Sequence, residues 1–370
     1  MKYRILIDGV NIRSGGTIVN LKHLLDHVPD DFEVILYGTS LLEKYLLKKK
    51  NVIFHQIGIF QHFAILRIIW QIFFLRKKFY QHRAKLLYSP GGFYFGKHII
   101  AVSLSQNLLP FIRGFKASLR LLLKLYLIKY LQVRTFKNSA GVIFLTNYAK
   151  EIIEPQVGNI KKTIIIPNSV DQKFFSINNN KEFSIKNKGI VEFVYVSRLE
   201  EYKNHINLIS AFKIISDEQI VNFKLTLIGP SSKNAGKLYH KILKLEKKYT
   251  WLSYLGELEE EQIIQRYVEA DIGIFASSVE NMPIILSEMM AAKIPIICSE
   301  IGVMPEIGLD SVIYFDPNSI ESIVKAIIES LDEDTAKKNI IKASEIAEKF
   351  QVRNISDQTF SFFRKIIDDK

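Results

Sequence analysis

The 370-residue chain has a single cysteine, Cys298, so no internal disulfide can form and stability must come from packed cores. Cys298 ends the apolar run Ile294–Cys298 and reads as a small hydrophobe in a buried strand, not a nucleophile. There is no His-Glu-x-x-His and no Cys/His metal spacing. The acidic triplet Asp332–Glu333–Asp334 falls between two expected helices, where it reads as a solvated cap. No metal requirement and no cofactor are therefore expected. Uncharged runs long enough to cross a bilayer are missing too, because Arg67 interrupts the most apolar stretch. Met1 to Gly9 reads as a strand with Asp8 inside it, unlike a signal peptide, and a cytoplasmic setting is expected.

The largest gap concerns one sign of charge. From Lys44 to Lys150 there is no carboxylate, against 19 Lys and Arg. Residues 1–170 hold 25 Lys and Arg against 8 Asp and Glu, while the remaining residues hold 25 and 30, for a net charge of +12. Such asymmetry speaks of partners and not of fold. Two stretches of the carboxylate-free block, Phe63 to Arg83 and Lys116 to Arg134, mix Leu, Ile and aromatic residues with Arg and Lys at helical spacing. Residues 59–137 are thus expected to meet an anionic membrane surface, peripherally, from the inner face of the cell membrane. The plainer reading is a pair of packed helices whose cations reach water. No nucleic-acid motif accompanies the charge.

What the chain does contain suits two domains. An apolar fraction of 48% and a charged fraction of 24% are those of a globular protein long enough for two cores. Short β-branched runs alternate with helical patterns, as in a parallel α/β sheet. They include Tyr3–Ile7, Gly141–Thr146, Val191–Val196 and Asp271–Ile274. Pro167–Asn168 ends the first half, giving domains at 1–170 and 171–355 and a terminal helix at 356–370.

The most informative stretch is Ser277 to Pro305. It offers Glu280, then Pro283 to open a helix, then Glu288 about one turn inside, then a strand and the turn Ile301–Glu306. Strand, helix, strand and tight turn form the carboxyl edge of a parallel sheet, where ligands bind. Free amides at a helix start favour phosphate, while carboxylates accept sugar hydroxyls. Arg198 and Lys203 follow a strand end and are placed to hold a diphosphate. The ligand indicated is polyhydroxylated and carries phosphate. Upstream, Gly15–Gly16 before a helix lets the backbone approach an anion closely.

Two glutamates with this spacing, a Gly-x-x-Pro-Glu turn, Val196–Leu199 with Lys203–Asn204, and Pro167–Asp171 together resemble retaining glycosyltransferase family 4, the "glycosyl transferases group 1". The resemblance is strong over residues 140–320 and looser before them. It implies the GT-B fold: two Rossmann-like α/β domains facing across a cleft, with the C-terminal helix crossing back to the first. It also implies transfer of a sugar from a nucleotide-diphosphate sugar, with retention, to a cell-envelope glycan or lipid-linked acceptor such as O-antigen. On this resemblance Glu280 holds the sugar ring and Glu288 the nucleotide ribose. Gly15, Gly16, Asn168 and the amides of Val303 and Met304 complete the donor site, with Arg198 and Lys203 serving catalysis. Relatives often have a histidine at the start of an Asn-x-x-Pro-Phe segment; here Gln106 stands there, followed by Asn107. Gln bonds a hydroxyl but cannot titrate. Gly91 and Gly92 are candidates for the acceptor side. Two other readings are a nucleotide-sugar epimerase of the same fold and a basic nucleic-acid-binding protein.

Overall fold

The structure is a computed structural model and describes residues 2–12, 16–45, 51–94, 99–112, 119–177, 184, 189–231 and 236–369. Gly15 and the expected polar loop 178–181 lie outside them. The chain forms two compact units, Met1–Ser169 with Val352–Lys370, and Val170–Gln351.

Unit 1 is built on seven parallel strands: β1 (Tyr3–Asp8), β2 (Phe32–Gly38), β3 (Val52–Gln56), β4 (Leu86–Ser89), β5 (Ala101–Ser105), β6 (Gly141–Phe144) and β7 (Thr163–Ile165). Their order is β3-β2-β1-β4-β5-β6-β7. The strands are near-continuous apolar runs because helices cover both faces of the sheet. Ile5, for example, sits in register with Val34 on one side and Leu86 on the other. The C-terminal helix Val352–Asp368 belongs to this unit. It buries Phe360, Phe362 and Phe363, and Arg364 makes a two-pronged bond to Asp31 at 2.7 and 2.8 Å.

The stretch expected as one amphipathic helix from Phe63 is broken by the molecule into three pieces. Helix Ala64–Trp70 passes through a π-helical turn, Gln71–Leu75, into helix Arg76–Gln81. Arg67 does not reach water: it is buried and donates to the Gln61 carbonyl at 3.0 Å and to Asn11 Oδ1 at 3.3 Å. Phe63, Ile65 and Phe73 nonetheless point outward, as do Leu119, Leu123, Tyr126 and Tyr130 of helix Leu119–Asn138. Among the described residues no helix is long and apolar enough to cross a membrane.

Unit 2 has six parallel strands: β8 (Val191–Val196), β9 (Phe223–Ile228), β10 (Leu252–Tyr254), β11 (Ile272–Phe275), β12 (Ile296–Ser299) and β13 (Ile313–Phe315). Their order is β10-β9-β8-β11-β12-β13. Cys298 is fully buried in β12, and burial pushes its thiol well up. Asp332 caps helix Glu333–Ala347, accepting from Thr335 N at 2.8 Å. Sequence patterning gave no sign of helix Gly236–Lys248, whose five lysines mask its buried Leu238 and Ile242.

Candidate functional site

In both units the strand order runs outward from the first strand and then jumps to its other side. That reversal opens a crevice at the carboxyl ends of the two central strands. In unit 2 these are β8 and β11. The loops leaving β8, β11 and β12 carry Arg198 and Lys203, Glu280, and Val303 and Met304. Five residues spread over about a hundred positions thus share one edge because three neighbouring parallel strands end there.

Asn204 binds the first two loops together. It adopts the left-handed conformation, φ 55°, and its Nδ2 donates to the Ala276 carbonyl at 2.8 Å and Ser278 Oγ at 2.7 Å. Ser278 N donates to the Tyr202 carbonyl at 2.8 Å, and Tyr195 OH to the Lys203 carbonyl at 2.8 Å. So fixed, Lys203 and Glu280 form an ion pair with side chains only 12% and 17% exposed. The Lys203 ammonium also lies over the Tyr202 and Phe275 rings, 5.4 and 5.6 Å from their centroids. Arg198 is exposed, and its guanidinium has no hydrogen bond or ion pair among the described residues. Beneath the pair, His205 is buried with Nε2 3.2 Å from Ser197 Oγ. Burial first and the Lys203 charge second push its pKa down to about 3, so it is neutral.

The second carboxylate has a different setting. Helix Ile284–Ala291 begins one residue after Pro283, which holds the cap position and not the first helical one. Glu288 keeps part of its surface open to solvent, yet protein packs densely round the carboxyl. Burial foremost, then the Glu260 and Asp171 carboxylates, push its pKa up to about 8. It has no hydrogen bond or ion pair among the described residues, and the buried Tyr267 nearby has an unpartnered hydroxyl. Asp171 caps the short helix Gln172–Phe175, and Lys173 bridges Glu260 and Glu261 at 2.6 and 2.8 Å. The side chains of Val303 and Met304 are fully buried, so only their backbone faces the edge. The amides of Gly302, Val303 and Met304 donate to no protein group among the described residues.

In unit 1 the crevice strands are β1 and β4. Gly16 opens helix Gly16–Asp26, whose Thr17 and Asn20 line a cavity of about 50 Å³ together with Gln106, Asn168 and Ser169. Asn20 Oδ1 accepts from Ser169 N at 3.0 Å, and His23 Nδ1 lies 2.8 Å from Ser169 Oγ. Gly91 lies beside Asn11, its position for a Cβ 3.7 Å from the Asn11 Cβ. Gly92 has φ +80° and would bring a Cβ to 3.0 Å from Gln132 Nε2. Asn107 is exposed and turns back to accept from Leu109 N at 3.2 Å. Gln106 and Asn168 therefore share a wall, whereas Gly91, Gly92 and Asn107 do not line it.

Comparison with known proteins bears on unit 2 first. Residues 176–346 match the family model described as Glycosyl transferases group 1. That span contains Arg198, Lys203, Glu280, Glu288, Val303 and Met304. The O-antigen chain mannosyltransferase B of Escherichia coli is 25% identical over 173 residues, 46% of this chain and 45% of that protein. The serotype-specific mannosyltransferase WbdA of Escherichia coli is 29% identical over 138 residues, 36% of this chain and 16% of that protein. The chain thus spans less than half the length of these relatives. Among solved structures, sucrose-phosphate synthase from Thermosynechococcus elongatus superposes over 100% of both chains with a TM-score of 0.78 at 15% identity. Anabaena HepE in complex with UDP and glucose covers 97% of this chain and 99% of its own, with a TM-score of 0.70 at 16% identity. The fold is the GT-B fold anticipated from the motifs.

Sequence reasoning does not identify Asn204 as the clamp, although Lys203–Asn204 stands out as a pair. It also gives no role beside Glu288 to Asp171, although Asp171 closes the Pro167–Asp171 motif, or to Glu260, which lies in a segment with no motif of its own.

Proposed function

We propose that the protein transfers a hexose from a nucleotide-diphosphate sugar to a cell-envelope glycan or lipid-linked acceptor, with retention at the anomeric carbon and without a metal ion. The observation that carries this reading is the edge of unit 2. There an unpaired Arg198, the Lys203 ammonium and three free amides leave the ends of neighbouring strands beside two carboxylates, a set suited on this reading to a departing diphosphate and to sugar hydroxyls. Breaking the bond between sugar and diphosphate leaves an oxocarbenium-like carbon and a departing anion. Fixed cations and amides that meet this charge stabilise the transition state. Glu280, paired to Lys203, is held to accept from the sugar ring, and Glu288 from the ribose. The acceptor hydroxyl attacks the face from which the phosphate departs, and its proton passes to the leaving phosphate oxygen. The names of the relatives, an O-antigen chain mannosyltransferase and a serotype-specific mannosyltransferase, support mannose as the first sugar to test.

The outward apolar residues of helices 64–81 and 119–138 support a peripheral contact with the inner face of the membrane, where a lipid-linked acceptor resides. Lys124 and Arg76 sit on the same exposed stretches.

Thermal-shift screening against UDP-, GDP-, ADP- and CMP-sugars, mannose included, identifies the donor. With it in hand, Lys203→Ala or Glu288→Ala is expected to lower the transfer rate at least a hundredfold. A loss of tenfold or less removes that residue from the site. Transfer is expected to persist in EDTA; abolition by EDTA with rescue by magnesium overturns the metal-free reading.

A further inference from the structure

The acidic half of the chain carries a cationic face. Helix Gly236–Lys248 presents Lys237, Lys241, Lys244 and Lys248 at spacings of four, three and four residues, which stacks them along one side. All four are exposed, as are the flanking Lys247 and His240. Among the described residues none of these lysines has an ion pair. The helix's lone carboxylate, Glu246, is turned away to accept from Tyr254 N at 2.7 Å. Like charges at this spacing destabilise a helix, and solvated helices ordinarily mix both signs. A self-repelling stripe of this kind is stabilised by a surface of opposite charge.

We propose that this lysine stripe docks unit 2 onto an anionic phospholipid bilayer, as an attachment separate from the apolar helices of unit 1. Two observations favour lipid over nucleic acid. The stripe is entirely lysine, a point charge that suits a laterally mobile headgroup layer, and lacks the arginine forks that grip phosphates and base edges. Its flank is aromatic: Tyr249 stacks on Trp251 at 4.8 Å, Tyr239 meets Tyr254 at 6.0 Å, and Lys248 lies 5.2 Å over the Tyr249 ring. These rings are half-buried, with one side on the unit 2 core. Tyr and Trp in such amphipathic positions are enriched at the lipid–water interface. Each lysine brought to an anionic leaflet strengthens binding about fivefold at moderate salt.

The test uses the full chain and vesicles made of equal parts phosphatidylcholine and phosphatidylglycerol. Replacing Lys237, Lys241, Lys244 and Lys248 by Gln keeps helix propensity. It is expected to lower vesicle partition about a hundredfold, with donor-induced thermal shift unchanged. A fall of less than threefold, or equal partition onto pure phosphatidylcholine, overturns the proposal. So does a variant that loses duplex-DNA binding yet keeps the vesicles. Should the variant fail to fold, the unmodified chain decides: vesicles must shield Lys241 and Lys244 from amine acetylation, and unchanged labelling overturns the proposal. A parallel variant, Phe73→Ser with Leu123→Ser, separates the two contacts. Loss of vesicle binding there but not in the stripe variant sinks this inference and leaves the unit 1 contact standing.

Discussion

Glu288 is a carboxyl whose surroundings oppose its ionisation. In the folded chain it keeps its proton up to about pH 8, against an ordinary value of 4.5. Between those values the folded state binds more protons than the unfolded one, so stability from this group is full below pH 4.5 and is lost as pH rises through 8. Asp8, pushed up to about 6 by burial, behaves likewise at lower pH, so a comparison of variants is needed to isolate Glu288. Glu288→Gln keeps the shape and removes the charge. At pH 8 it is expected to stabilise the protein by about 1–2 kcal/mol, allowing for the part of Glu288 open to solvent. At pH 5 the gain disappears; urea titrations at the two pH values read the difference. On the proposed role of Glu288 beside the donor's ribose, donor binding has the opposite sign. Ribose hydroxyls donate best to the ionised form, so donor affinity should rise between pH 6 and 8, approaching tenfold per unit. Titration calorimetry at pH 6, 7 and 8 should show that slope in the native chain and none in Glu288→Gln. A site that binds better once its carboxyl is charged, yet folds better while it is neutral, gives up stability for recognition.

The elements around the site were largely legible, and their joints were not. Strands β1, β6, β8 and β11 announce themselves as short β-branched runs, because a strand covered on both faces needs apolar residues throughout. Helix Gly236–Lys248 was invisible because exposed lysines outnumber its two buried apolar residues, Leu238 and Ile242. The π-helical turn at Gln71–Leu75 also left no trace, since its backbone follows from packing and not from composition. At the site, residue types and order pointed to Arg198, Lys203, Glu280 and Glu288. Nothing in one dimension says that Lys203 and Glu280, 77 positions apart, form an ion pair. Asn204 decides that geometry, and its test separates backbone from side chain. Asn204→Gly tolerates φ 55° but loses the bonds to Ala276 and Ser278, costing about 1–2 kcal/mol. Asn204→Ala loses the same bonds and also resists the left-handed conformation, adding about 1 kcal/mol. The expected stability order in urea is Asn, Gly, Ala. Equal midpoints for the two variants would mean that the backbone conformation contributes nothing.

At the scale of the molecule, the chain leaves unit 1 at Ser169 and re-enters it at Val352. The last helix, 182 residues beyond that exit, is thus part of the first core. It lies so close over β6 that a side chain at Gly141 would meet the Phe362 ring at 2.7 Å. The Phe363 ring lies tilted against Tyr88 at 5.0 Å, and Phe360 against Phe32 at 4.8 Å. Among the described residues each unit has buried clusters of its own, within residues 191–327 in unit 2 and, in unit 1, around Leu6 and Trp70 and around Phe136 and Phe144. The two tryptophans divide the same way, Trp70 buried in unit 1 and Trp251 half-buried in unit 2. Single-tryptophan chains, Trp251→Phe and Trp70→Phe, therefore report the units separately. Phe363→Ala empties a large buried site and is expected to cost unit 1 about 3–5 kcal/mol. In urea the Trp70 signal should then move to lower concentration while the Trp251 signal stays. Equal shifts of both would show that the units unfold as one. The C-terminal helix would in that case stabilise the whole chain and not only the core it completes.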